Sequence, residues 1–250
     1  MCRFAIVYGK IAGLLLSVAA VGWGVFYLLQ PWLSSQHLGK TDPELQIIPM
    51  SLASKAESSL SNSSIEHDGF IFRLPDKGIA TTIGQVTLVG FPNGTLEFPS
   101  PLRDEDSLVF AAVHDDDAKR MLGSDMLHSQ FKVMQAAMLV TPEQVKWWKF
   151  RSSQNRRAAL LLLLKFVAIT ESDTGHLFAI RPIYTIASGE FRGFQLGNPD
   201  VPPYEARIDL FDHADRHLAF DIQGGDGHGQ VLTQEEINAI VASIRPASDH

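Results

Sequence analysis

Cysteine is almost missing from this chain: Cys2 is the only one in 250 residues. The residues beyond it can form no disulfide with one another, so any folded unit there must be held by an apolar core. The usual catalytic signatures are missing as well. No Gly-x-Ser-x-Gly turn, no His-Glu-x-x-His pair and no glycine-rich phosphate loop with its lysine occurs. Basic charge is also scarce, with 21 Lys and Arg against 28 Asp and Glu. Arg3 and Lys10 are the only charged residues before position 33, which leaves 19 basic and 28 acidic residues after it, a formal charge of −9. Such a balance excludes the broad electrostatic footprint that nucleic-acid binding needs, and no nucleic-acid partner is expected.

One stretch lacks charge altogether. Ile11 to Leu29 holds 19 apolar or small residues, with Ser17 the most polar. At helical rise this is enough to cross the hydrocarbon core of a bilayer. Trp23, Phe26, Tyr27 and the closing Gln30-Pro31-Trp32-Leu33 put bulky residues where a signal peptidase needs small ones. The run therefore reads as a retained anchor, with the lipid bilayer as its partner over residues 11–29. Arg3 and Lys10 precede it, which places the N-terminus in the cytoplasm and the rest on the periplasmic or extracellular side. Gly9, Gly13 and Ser17 recur at four-residue steps, a ridge that suits a homodimer through the anchor.

Composition divides the remainder. Residues 1–33 are the cytoplasmic tip and transmembrane helix, 34–66 a Ser-rich tether, 67–246 an α+β globular domain and 247–250 a tail. Ser51 to Ser64 carries seven serines, a composition that buries too little to offset its ordering entropy. Leu45 to Met50 is an apolar patch within the tether, suited to packing back on the domain.

Within the domain, Phe70–Leu74 reads as a strand stopped by Pro75. Gln85–Phe91 and Thr95–Phe98 flank Pro92-Asn93-Gly94 as a hairpin. The wholly apolar Ser107–Val113 reads as a central strand. Leu127, Phe131, Met134 and Met138 recur on one helical face. Thr141-Pro142-Glu143 is a helix start, and this second helix would carry Trp147 and Trp148, which diverge by about a hundred degrees. A third helix is expected from Arg156 to about Lys165, capped by Ser153 or Asn155, passing into a strand at Phe166–Ile169. Its Leu160–Leu164 run is too short to span a membrane. Strands return at His176–Tyr184, Phe191–Leu196, Ala206–Phe211 and Leu218–Ile222. A final helix opens with the capping box Thr233/Glu236, presents Ile237, Ile240, Val241 and Ile244 on one face, and stops at Pro246. The order predicts one N-terminal transmembrane helix followed by a largely antiparallel sheet covered by helices.

Phe70-Ile71-Phe72-Arg73-Leu74-Pro75, the strand pair Ala206–Phe211 and Leu218–Ile222 around a turn at His213–Arg216, and the helix ending Ile240-Val241-Ala242-Ser243-Ile244 resemble the PsbP-like α-β-α sandwich group. The resemblance spans about a third of the chain. It implies a non-enzymatic accessory or binding domain, and it carries over no functional residue.

Two His/Asp clusters are the candidates for chemistry. His114-Asp115-Asp116-Asp117 follows an apolar strand. Asp212, His213, Asp215 and His217 lie at a hairpin turn. Imidazole and carboxylate together suit Zn²⁺ or Mn²⁺, and His114, Asp116, His213 and His217 would form the metal site of a hydrolase if the two strand ends met. The competing reading gives Asp115–Asp117 to the first turn of a helix and Asp212–Arg216 to a tight turn. The sequence favours that second reading, with no cofactor: a membrane-anchored, non-enzymatic accessory or binding domain for a partner protein or envelope component. The metal-dependent hydrolase is the alternative.

Overall fold

Alternating aromatic and β-branched residues build most of the sheet, and apolar residues at helical spacing build the layer beside it. A computed structural model describes residues 43–52, 60–99, 120, 122–123, 129–149, 151–171, 182–224 and 229–247. The apolar run 11–29 and the strand expected at Ser107–Val113 lie outside these residues. No described helix is long and apolar enough to cross a membrane.

The strands are Met50–Ser51 (β1), Ser64–His67 (β2), Phe70–Arg73 (β3), Ile79–Ile83 (β4), Val86–Phe91 (β5) and Gly94–Phe98 (β6), followed after two helices by Ile183–Ser188 (β7), Phe191–Gly197 (β8), Ala206–Phe211 (β9) and His217–Gly224 (β10), with Arg245–Pro246 (β11) last. The helices are Gln130–Leu139 (α1), Ser153–Glu171 (α2) and Gln234–Ser243 (α3). Eight strands form one sheet in the order β1-β7-β8-β9-β10-β6-β5-β4, antiparallel except for the parallel β1–β7 pair. A second sheet holds β11-β3-β2. Among the described residues the result is α+β, with a large, mostly antiparallel sheet and three α-helices, α1 to α3, the coarse plan expected from the element order.

Strand alternation sends side chains to two cores. Phe191, Ala206, Ile208, Leu210, Phe220 and Ile222 point to one face, where they meet Phe70 and Phe72 of the small sheet and Ile237, Ile240 and Val241 of α3. Phe194, Leu196 and Phe211 point to the other face, where they meet α1 and α2. At Gly193 on β8, an added Cβ would collide with the Asp209 carbonyl of β9. Only glycine permits that approach.

Three expectations are corrected. Phe166–Ile169 is not a strand, because α2 runs unbroken to Glu171; Lys165 is buried in the core and so does not end the helix. Thr141-Pro142-Glu143 starts only a 3₁₀ turn, Pro142–Gln144, ended by the extended backbone of Val145. The expected tether also overlaps structured chain. Leu45 is buried against the helical layer, β1 pairs with β7 through Met50 and Tyr184, and β2 lies beside β3. Apolar burial at Leu45 and sheet pairing at Met50 offset the ordering cost that the serine content suggested.

Candidate functional site

The turn between β9 and β10 carries the second His/Asp cluster, and its residues part company there. Asp212 folds the turn on itself. Its Oδ1 accepts from the backbone N–H of Ala214 and Arg216, both at 2.9 Å, and its Oδ2 from Arg216 Nε at 2.7 Å. Asp215, with a left-handed φ of 64°, reaches out to α1. It accepts from Ser129 Oγ at 3.1 Å and from the backbone N–H groups of Gln130 and Phe131. Those are free donors of a helix first turn, and a carboxylate there also complements the dipole. Ser129 is itself the N-cap, accepting from Lys132 N–H at 3.2 Å. His213 is exposed.

His217 turns inward from the first residue of β10. Its Nε2 lies 2.9 Å from Asp209 Oδ1, and its ring stacks on Phe211 at 4.7 Å. Arg207 binds the same carboxylate, with Nε 3.1 Å from Oδ2 and Nη2 3.4 Å from Oδ1. Residues 207 and 209 share a face because strand side chains alternate. Burial alone would push the Asp209 carboxyl up. The Arg207 guanidinium and the His217 hydrogen bond outweigh burial and hold it well below the usual carboxylate range. Beside this trio, the Arg192 guanidinium lies 4.1 Å from the Phe131 ring centroid, at the start of α1.

The structure therefore brings His217 to Asp209 and Arg207, and does not bring it to Asp212, Asp215 or His213 as a ligand group. Among the described residues no set of three or more His, Cys, Asp or Glu side chains is placed to hold a metal ion. His114 and Asp116 lie outside the described residues. The arrangement at Asp209 can hold a buried charge, orient an imidazole and knit three strand positions together.

A second polar centre sits under α2. Lys165 is fully buried, and its Nζ donates to three backbone carbonyls: Leu45 at 3.0 Å, Ile47 at 2.7 Å and Val140 at 3.0 Å. Burial pushes its pKa down from 10.5 to about 8. One ammonium thus joins the N-terminal segment, the end of α1 and the middle of α2.

Sequence reasoning missed Asp209 and Lys165. For Asp209 a signal was present: Arg207 and Asp209 sit at alternate positions of a strand, so their side chains are neighbours. For Lys165 the helix end expected at that residue hid its place inside α2. No protein-family model, no curated protein and no solved structure matches the chain. The resemblance to the PsbP-like group accordingly rests on its quoted residues alone.

Proposed function

We propose that the chain is a single-pass, membrane-anchored accessory domain that binds a partner protein or envelope component without catalysing a reaction. The anchor is the apolar run 11–29, with the N-terminus cytoplasmic and the domain periplasmic or extracellular. The observation that carries the non-catalytic reading is how the described His/Asp residues are used. Asp212 is committed to its own turn, Asp215 to the N-terminus of α1, and His217 to Asp209. Each contact holds the fold, and none of them joins two of these residues into a shared ligand set.

Metal analysis of the purified full chain tests this reading. The expected result is no stoichiometric zinc or manganese and a melting temperature unchanged by a chelator. Stoichiometric metal, with a chelator lowering Tm by several degrees, would overturn the metal-free reading in favour of the metal-dependent alternative, because a bound metal stabilises the state that binds it.

A further inference from the structure

The outer surface of the helical layer combines a local run of basic residues with exposed apolar side chains. Lys146 to Arg157 contains five basic residues and no acidic one, within a region whose formal charge is −9. The segment Trp147–Lys149 forms a 3₁₀ turn directly before α2. Trp148 is 59% exposed there. Lys149 and Arg156 are exposed, and Lys146 reaches 6.0 Å from the Trp148 ring centroid. Lys146 N–H donates to Asn155 Oδ1 at 2.6 Å, which locks the turn onto the first turn of α2.

Beyond Arg157 the helix carries no charge until Glu171 except the buried Lys165. Arg156, Leu160 and Leu163 follow at steps of four and three, so they share one side of the helix. Leu160 is half-buried and Leu163 is 51% exposed. That side of the helix thus passes from cationic at Arg156, next to the turn that carries Trp148, to apolar at Leu160 and Leu163. A solvated helix would carry polar residues there. Ile48 and Met50, on the segment held by the same helix, are also more than half exposed.

We propose that this surface lies on an anionic lipid bilayer. Lysine, arginine and tryptophan suit the headgroup level, and an uncharged leucine face suits the acyl boundary beneath it. Cations near an anionic surface contribute individually, each by about 1 kcal/mol, so a local cluster can act against the net charge of the domain. Charge complementarity alone would also fit an acidic macromolecule, but a bilayer offers anionic headgroups and an apolar layer for the leucines at one surface. The position of the chain agrees. Leu45 and Ile47 are fixed to α2 through Lys165, so the polypeptide enters the domain on the helical layer. Thirteen residues separate Leu29 from Pro43, a reach of at most about 45 Å when fully extended. This last point rests on the anchor reading; the surface itself does not.

The test uses the full chain with Cys2→Ser, reconstituted in vesicles of phosphatidylcholine and phosphatidylglycerol that contain brominated lipid. A single bimane label is placed at Leu163→Cys or, on the exposed side of α3 in the opposite layer, at Ala242→Cys. The expected result is quenching at position 163 several-fold stronger than at 242. It should be lost in vesicles without phosphatidylglycerol and lost with Lys146→Glu, Lys149→Glu and Arg156→Glu combined, while circular dichroism stays unchanged. Equal quenching at 163 and 242 overturns the proposal and leaves the cationic end to an acidic macromolecule. Quenching at 163 that ignores both phosphatidylglycerol and charge reversal overturns the anionic assignment. Alkaline carbonate extraction of the same vesicles reads the anchor separately. Chain that resists extraction but is unquenched at 163 refutes the docking surface alone. Chain quenched at 163 that washes out refutes the anchor alone.

Discussion

The two faces of the large sheet are packed by different means. On the side of the small sheet the core is a chain of aromatic rings. Phe98 stacks on Phe72 at 4.4 Å and meets Phe220 at 5.2 Å, and all three are fully buried. On the side of α1 and α2 rings also meet, Phe131 with Phe194 and Phe211, but the apolar core is stitched by charge as well, with Lys165 inside it and Asp209 at its margin. On the first face the described rings fill space with no buried ion pair among them. The other depends on groups that are costly to bury unless every partner is in place. Dispersion tolerates small shifts of position. A three-carbonyl clamp on one ammonium does not, so the helical layer is specified by geometry more than by area.

Substitutions can sharpen that contrast. The largest loss is expected for Phe98→Ala, about 3–5 kcal/mol, read as a lower denaturation midpoint with an unchanged slope. Asp209→Asn comes next, at about 2–3 kcal/mol near neutral pH, because a charge-assisted network loses its charge. Its pH dependence follows from the depressed carboxyl. The folded state binds fewer protons than the unfolded one, so the contribution is complete above the ordinary Asp pKa and fades as pH falls below it. The gap between wild type and Asp209→Asn should therefore narrow in acid, whereas the Phe98→Ala gap should not. Denaturation curves at several pH values check both.

Lys165→Met should cost about 1–3 kcal/mol, since three buried carbonyls lose a donor. It should also raise amide exchange over residues 43–52 without changing exchange in β5 and β6. The sign in base is fixed too. With its pKa lowered from 10.5 to about 8 in the folded state, the lysine binds fewer protons there than in the unfolded chain. Wild-type stability should rise with pH between those values, and Lys165→Met should lack that rise. The smallest effect is expected at Thr233→Ala. Thr233 Oγ1 accepts from Glu236 N–H at 3.1 Å, and the Glu236 side chain accepts from Thr233 N–H at 2.8 Å, so losing the cap should cost about 1 kcal/mol in thermal melts. If Lys165→Met proved milder than Thr233→Ala, the contrast between the two faces would fail.

Legibility in the sequence follows the same division. The capping box of α3, the β5–β6 hairpin and Ala206–Phe211 were readable, because each is encoded by residues a few positions apart. The strand Ile79–Ile83 was not. It lies at the sheet edge with every residue exposed, so it has no alternating pattern to betray it. The role of Asp215 was hidden because its partners lie 84 to 86 residues away; turn composition alone accounted for it. The leucine run is helical as expected, with Leu161, Leu162 and Leu164 buried and Leu163 exposed, but the helix runs on past the expected end at Lys165. A lysine normally marks a boundary, and here it lies inside the core.

The Asp215 contact also sets an order of events. As the chain is synthesised, α1 emerges well before the turn that completes its first coil, and β1 emerges long before β7, its partner in the sheet. The earliest described residues of the polypeptide must wait for some of the latest ones. If the run 11–29 is in the bilayer by then, the helical layer takes its final shape with its leading end already tethered, and its search for contacts is confined to a shell beside the membrane.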